Sequence, residues 1–156
     1  MVLSSPSNVV YCDFPDEQAS LVAVFDRLIA LQFEAVRAIL DADLDPSSAL
    51  AALVERQVAL VLDELEFHTA WSREFKSLPA EDQYRLRRLQ RLYTEEWVHA
   101  LSAVRPDLSE GEIRVIAYGV IALLQSAADF GSGLSAEVLR SLFTSAAKAA
   151  IDAAGR

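Results

Sequence analysis

The sequence predicts an all-α protein, an antiparallel bundle of about six helices. Hydrophobic residues make up 53% of the 156 residues, and the chain contains only five glycines and five prolines. This composition argues against disorder and against a β-sandwich. Apolar residues also recur three or four positions apart over most of the chain, which is the spacing of amphipathic helices.

The first helices are delimited by caps and prolines. A long helix is predicted over Glu17–Asp43, with Asp16 placed to cap its N-terminus. The Asp45–Pro46 pair supplies an N-cap and a first-turn proline for the second helix. A short aromatic segment, Glu66–Leu78, follows, and Pro79 opens the next long helix.

The last two helices are separated by a glycine-rich turn. Ser109 and Glu112 have the spacing of a capping box, and the helix that they begin is predicted to end at Phe130. The turn is Gly131–Gly133, and Ser135 caps the final helix. Alanines on several faces of that final helix favour an antiparallel pair that docks against another pair.

The stretch Ile113–Phe130 predicts a homodimer. Its ten-residue centre, Val115–Leu124, carries no charge, and a helix that is apolar on every side must be covered on every side. This centre is shorter than the about 20 residues that cross a bilayer, so we expect no membrane contact. A second copy of the chain is the simplest cover. The predicted interface residues are Ile113, Ala117, Val120, Ile121, Leu124, Leu139, Phe143, Ala146 and Ala150.

A set of aromatic and glutamine residues predicts a ligand pocket. Tyrosine and tryptophan each bring a polar atom that needs a partner when buried, and Gln57 interrupts an apolar stripe. Each residue taken alone is consistent with ordinary core, but together they match a mostly apolar pocket with a few polar groups. We expect an apolar or amphipathic small molecule, for example an acyl-like one. The predicted ligand-binding residues are Gln57, Phe67, Trp71, Phe75, Tyr93, Trp97, Tyr118 and Gln125.

Charge and cysteine content limit the partners and the compartment. The net charge is −9, and residues 1–45 hold eight acidic and two basic side chains, hence −6. A region of that sign is repelled by DNA phosphates. The single cysteine, Cys12, excludes a disulfide framework and indicates a reducing compartment. The N-terminus has no basic and apolar leader, so the predicted location is cytoplasmic.

The sequence favours neither metal nor covalent catalysis. Glu96 and His99 have the Glu-x-x-His spacing of di-iron bundles, and Glu64 precedes His68 by one turn. Such a site needs two Glu-x-x-His pairs, and only one is present, so we interpret these residues as parts of solvated faces. Cys12 lies beside an aspartate, which raises a thiol pKa. We find no cofactor motif and predict no enzyme; a metal-dependent helical-bundle oxidase remains a third alternative.

One helix carries a basic cluster formed by Arg85, Arg87, Arg88 and Arg91. The simplest interpretation is an exposed face that is balanced by neighbouring acidic residues. The alternative is that these arginines hold the phosphates of a carrier such as coenzyme A at the mouth of the pocket.

Two parts of the sequence carry a family resemblance. Val10–Asp16 has the pattern Leu-Tyr-x-x-Phe-x-x with Val in place of Leu. The second part has a longer series of matches in order and spacing: Arg73–Phe75, Leu78–Pro79, the arginine-rich run to Tyr93, Trp97, Arg105–Ser109 and the apolar helix ending at Asp129. The chain thereby resembles the Tet-repressor (TetR) family of bacterial transcriptional regulators, in which the first pattern closes the DNA-recognition helix and the second belongs to the effector-binding domain.

The resemblance implies a division of the chain and a set of partners. Residues 1–15 would be the end of a helix-turn-helix, which we expect to be mobile, and residues 16–156 an effector-binding domain that dimerises through its last two helices. The chain departs from the family in three ways: the first two helices of the DNA-binding head are absent, Pro6 stands where the recognition helix would begin, and Glu17 replaces a lysine. Operator DNA is therefore expected as a partner only if an upstream helix-turn-helix is present.

Two functions remain in competition. The leading hypothesis is a ligand-responsive transcriptional regulator, a repressor, in which this chain supplies the pocket and the homodimer interface. The alternative is a helical ligand-binding and dimerisation module that does not bind DNA itself. Tyr11 and Phe14 favour the regulator, whereas the acidic first 45 residues favour the module.

Overall fold

The computed structural model describes residues 17–129 and 131–153, which form six α-helices without a strand. The helices are α1 (Glu17–Asp41), α2 (Pro46–Asp63), α3 (Leu65–Glu74), α4 (Ala80–Val104), α5 (Glu110–Gln125) and α6 (Ala136–Ala153). Short 3-10 turns, Phe75–Ser77 and Ser126–Ala128, follow α3 and α5. The predicted all-α bundle of six helices is confirmed.

Some predictions fall on residues outside this description. The proposed helix-turn-helix remnant over residues 1–15, which includes Cys12, lies there, and so do the cap Asp16 and the predicted helix end Phe130. The fifth helix ends at Gln125 and continues only as a 3-10 turn to Ala128.

Three predicted helix starts are confirmed by their hydrogen bonds. The Asp45 carboxylate accepts two backbone N–H groups of the first turn of α2, each at 3.1 Å. Ser109 and Glu112 form the reciprocal capping box, in which the Glu112 carboxylate accepts the Ser109 N–H at 2.8 Å. The Ser135 hydroxyl accepts a backbone N–H of the first turn of α6 at 3.3 Å. Each cap satisfies amide groups that the helix itself leaves without partners.

The helices pack around two apolar clusters. The second helix contacts α1, α4 and α6, while α4 also packs on α1 and α5, and α5 on α6. The first cluster joins α2, α4, α5 and α6 around Trp97, Val54 and Leu124. The second joins the first half of α1 to α3 and the start of α4 around Phe25 and Leu86.

The α5 helix buries one face and exposes the other, and this corrects the predicted interface. The residues Ile113, Ala117, Val120, Ile121 and Leu124 all lie in the first apolar cluster of their own protomer. They are therefore unavailable to a partner. The exposed face carries Val115 and Tyr118, which are 72% and 50% exposed, together with Gly119 and Ala122.

On α6, more of the predicted interface residues remain accessible to solvent. Ala146 and Ala150 are exposed, Leu139 is half-buried, and Phe143 is half-buried against the first apolar cluster. The adjoining Val138 and Leu142 are 44% and 54% exposed. The homodimer itself stays a prediction, and its surface is better described by the exposed faces of α5 and α6.

One described segment, Glu110–Ala128, is long and apolar enough to cross a membrane by length and composition alone. The core helix of a soluble protein passes the same test. Here α5 packs one face into the protomer, and Arg114 in its second turn pairs with Glu95 and Glu110. We therefore describe it as a helix of the protein core.

Candidate functional site

Two adjoining cavities lie among α1, α3, α4 and α5. The first has a volume of about 260 Å³ and the second of about 140 Å³. Three glutamines line both cavities: Gln32 from α1, Gln90 from α4 and Gln125 from α5. The two cavities are therefore neighbours that share these three side chains.

The first cavity lies between α4 and α5 and is bordered by two cations. Arg87 and Arg91 line it and are exposed, whereas none of its lining residues is acidic. The Arg87 guanidinium lies 5.3 Å from the centroid of the Phe75 ring, within the range of a cation–π contact. Tyr93 and Tyr118 supply aromatic walls.

The second cavity lies between α1 and α3 and contains a buried histidine. His68 is 8% exposed, and its Nε2 atom has no hydrogen-bond partner within the described chain. Burial lowers the pKa of His68 to about 4, because the charged ring is poorly solvated there. The imidazole is therefore neutral at pH 7. Asp129 lies at the edge of this cavity and accepts the Ser72 hydroxyl at 2.8 Å.

The interpretation of His68 as part of a solvated face is therefore wrong. The side of α3 that carries His68 faces the end of α5, where the Thr69 hydroxyl donates to the carbonyl of Ala128 at 3.0 Å. Ser72 holds Asp129 on the same side. These contacts hold this side of α3 against the end of α5, and His68, on the same side, is buried.

The predicted ligand-binding residues divide into two groups. Trp71, Tyr93, Tyr118 and Gln125 line the two cavities. Phe67 and Phe75 belong to the second apolar cluster, and Gln57 and Trp97 are buried away from the cavity walls. Sequence reasoning missed six polar lining residues: Gln32, His68, Ser72, Gln90, Thr94 and Asp129. Gln32 gave a detectable signal, because it is a polar residue on the apolar stripe of α1.

Behind the wall of the first cavity lies a buried polar group. The Tyr93 hydroxyl donates to Gln57 Oε1 at 2.6 Å. Burial raises the pKa of Tyr93, and the nearby Trp97 indole acts in the opposite direction. The Gln57 amide nitrogen and the Trp97 indole nitrogen make no hydrogen bond with the described residues. Tyr93 thus connects the cavity wall to an incompletely paired polar group in the core.

The arginine cluster is split by the structure. Arg85 pairs with Asp26 through two hydrogen bonds of 2.6 and 3.0 Å and also contacts Asp82. Arg88 is exposed and lines neither cavity. Of the four arginines, only Arg87 and Arg91 border the first cavity, whereas Arg85 forms ion pairs within the bundle.

The predicted Glu-x-x-His pair lies elsewhere. Glu96 and His99 border an apolar groove of about 170 Å³ between α1, α2 and α4. Within the described ranges, no three His, Cys, Asp or Glu side chains converge as a metal site.

The structure thus defines a helical bundle with a ligand-sized cavity pair among four of its helices. No protein-family model matches the sequence, and no curated protein matches it either. A TetR-family transcriptional regulator from Bordetella parapertussis superposes with a TM-score of 0.71 at 18% identity, covering 83% of this chain and 72% of that one. A transcriptional regulator of the TetR/AcrR family from Thermobifida fusca gives a TM-score of 0.71 at 18% identity, covering 92% and 77%. The chain has the fold of TetR-family transcriptional regulators, so the resemblance noted in the sequence is confirmed for the fold.

Proposed function

We propose that the chain is the effector-binding and dimerisation region of a TetR-type, ligand-responsive transcriptional regulator, acting as a repressor in the cytoplasm. The observation that carries this proposal is the fold shared with two transcriptional regulators over 83% and 92% of the chain. The cavity pair adds support, because the first cavity, of about 260 Å³, approaches the range of small-molecule pockets, roughly 300–1,000 Å³, and a second of about 140 Å³ adjoins it.

The exposed face of α5 supports a homodimer. Val115 and Tyr118 are large side chains left open to solvent beside Gly119. A β-carbon at Gly119 would meet no atom of the protomer within 4 Å. Glycine within a helix costs about 0.5–1 kcal/mol relative to alanine, and the packing of the protomer gives no reason for it. Close approach by the α5 helix of a second copy supplies one.

The cavity pair also suggests how a ligand would act. Gln32 of α1 lines both cavities, so a ligand that fills them contacts the longest helices of the bundle, α1 and α4. A ligand shifts a conformational equilibrium only by binding one state better than the other. We infer that binding changes the tilt of α1 and, through α1, the spacing of two DNA-binding heads.

Genomic occupancy tests this function. The protein would be tagged at its C-terminus at its native locus, crosslinked and immunoprecipitated, and the recovered DNA sequenced. We expect enrichment of a palindromic site whose half-sites lie about one helical turn, or a multiple of it, apart. The same tagged protein provides an intact mass for comparison with 17.1 kDa. Recovery equal to that of an untagged strain would contradict the regulator.

A second function is favoured by the charge of α1 and the turn that follows it. Residues 17–45 carry six acidic and two basic side chains, a sign that repels DNA. This observation favours a ligand-binding and dimerisation module that does not contact DNA. The same immunoprecipitation distinguishes the two, because the module is expected to recover protein partners without a specific DNA site.

A further inference from the structure

We propose that the cavity pair binds an elongated amphiphile that carries an anionic group at one end and a hydrogen-bond donor, a hydroxyl or an amine, at the other. This inference rests on the proposed effector site and assigns its ligand class. It follows from the different side chains that border the two cavities.

The first cavity is suited to an anion. Arg87 and Arg91 border it without a carboxylate in the lining, although the whole chain has a net charge of −9. Arg91 forms no ion pair within the described part of the chain. Arg87 is held over the Phe75 ring, and its guanidinium donates to the Gln83 side chain at 3.5 Å. Two arginines four residues apart on α4, both without a carboxylate partner in the described chain, favour a carboxylate or phosphate ligand.

The second cavity is suited to a donor. Asp129 accepts the Ser72 hydroxyl and forms no ion pair with another described residue. A carboxylate offers about four lone-pair sites, so it can accept further donors. The neutral His68 ring lines the same cavity, and its buried Nε2 atom has no partner. An unpaired buried polar atom is costly, and in the tautomer with the proton on Nδ1 the Nε2 atom would accept a donor from a ligand in the cavity.

The space between the two ends is amphipathic. Leu28, Ile29 and Trp71 line the second cavity, and Ile121 lines the first, which provides apolar walls for a chain or ring. The glutamines shared by both cavities can donate or accept. The first cavity thus offers cations, the second offers an acceptor and apolar walls, and the amides border both, which matches a molecule with two different polar ends.

Four matched probes test this ligand class. Binding of 10-hydroxydecanoic acid, 10-aminodecanoic acid, decanoic acid and decan-1-ol to the purified chain would be measured by titration calorimetry at neutral pH. We expect at least one two-ended probe to bind about ten-fold more tightly than decanoic acid and decan-1-ol, because each of the latter leaves one end unpaired. The hydroxy and amino probes distinguish the two kinds of donor.

Variants assign each end of the ligand. Arg91→Gln is expected to weaken the acids about five-fold and leave decan-1-ol unchanged. Arg88→Gln is the matched control, because Arg88 lies three residues away on the same helix and lines neither cavity. His68→Phe is expected to reduce the tighter two-ended probe to the affinity of decanoic acid. Asp129→Asn, at an exposed position, serves the same purpose if the core variant fails to fold by circular dichroism.

Three results would overturn the proposal: equal affinity of all four probes, no binding of any probe, or equal effects of Arg91→Gln and Arg88→Gln. None of them bears on DNA occupancy, which is measured without these probes. A specific genomic site without probe binding would therefore retain the regulator and reject the ligand class. Probe binding without a specific genomic site would retain the ligand class and reject the regulator.

Discussion

At the scale of single residues, the two histidines of the chain differ in burial. His68 is buried with a pKa lowered by burial from 6.5 to about 4, whereas His99 is exposed. Between pH 4 and pH 6.5, His68 binds a proton in the unfolded chain but remains neutral in the folded chain. The free energy of unfolding should therefore fall as the pH drops from 6.5 to 4, and rise again on return. At 1.36 kcal/mol per pKa unit, the contribution of His68 is roughly 3 kcal/mol.

Urea denaturation across this pH range measures the effect. We expect His68→Phe to lose this part of the pH dependence and His99→Gln to retain it. Carboxylates contribute at lower pH, since side-chain hydrogen bonds with Arg114 and Arg105 lower the pKa of Glu95 and Asp107. Their contribution is common to all three proteins. A slope in His68→Phe equal to that of the parent would show that burial of His68 does not control this pH range.

A second residue-scale prediction concerns the buried hydrogen bond between Tyr93 and Gln57. Tyr93→Phe leaves the Gln57 side-chain oxygen without its donor and should reduce the free energy of unfolding by about 1–3 kcal/mol. Tyr84→Phe is the matched control, since Tyr84 is 68% exposed, and should change stability by less than about 0.5 kcal/mol. Equal effects in chemical denaturation would mean that the bond contributes nothing.

At the scale of helices, the capping box of α5 gives a separable prediction. Ser109→Ala removes the hydroxyl that accepts the Glu112 N–H and should cost about 1 kcal/mol in the free energy of unfolding. Ser102→Ala, at an exposed position within α4, removes a hydroxyl of the same kind without touching a cap. Thermal and urea unfolding of both variants measure the difference, and a Ser109→Ala protein as stable as its parent would exclude a role for the cap.

The sequence predicted helix starts well and helix faces less well. The starts at Asp45, Ser109 and Ser135 depend on neighbouring residues only, so the caps could be identified locally. The run Val115–Leu124 is apolar throughout, so its sequence does not indicate which face of the helix is buried. Packing against α4 and α6 decides which side is buried. The burial of His68 was not predicted either, because it depends on contacts between α3 and the end of α5, which are distant in sequence.

At the scale of the whole molecule, the cavity pair was predictable only in part. Aromatic residues indicated a pocket, and Trp71, Tyr93, Tyr118 and Gln125 do line it. Its shape depends on how four helices diverge, which no local pattern encodes. Gln57 and Trp97 have the same amphipathic character, but the packing places them in the core.

The corrected dimer surface leads to a test of the assembly. Val115→Glu places a charge on the exposed face of α5 and should convert the dimer to a monomer while the helical circular dichroism is kept. Leu44→Glu, at a position 43% exposed after α1, is the control and should remain dimeric. Ile121→Glu is expected to unfold the protomer instead, because Ile121 is buried in the first apolar cluster.

Sedimentation equilibrium of these variants over a range of concentrations provides the measurement. A parent protein that sediments as a monomer at all concentrations would reject the homodimer. A Val115→Glu protein that remains dimeric would place the interface on another surface.

Gln32 lies fifteen residues from the N-terminal end of the α1 helix, which begins at Glu17. At 1.5 Å per residue this separation is about 22 Å. A rotation of about 5° centred on Gln32 would therefore displace Glu17 by about 2 Å. In the proposed mechanism, the α1 helix converts a change of angle at the cavity into a displacement at its N-terminal end, and the distance from Gln32 to that end determines the size of the displacement.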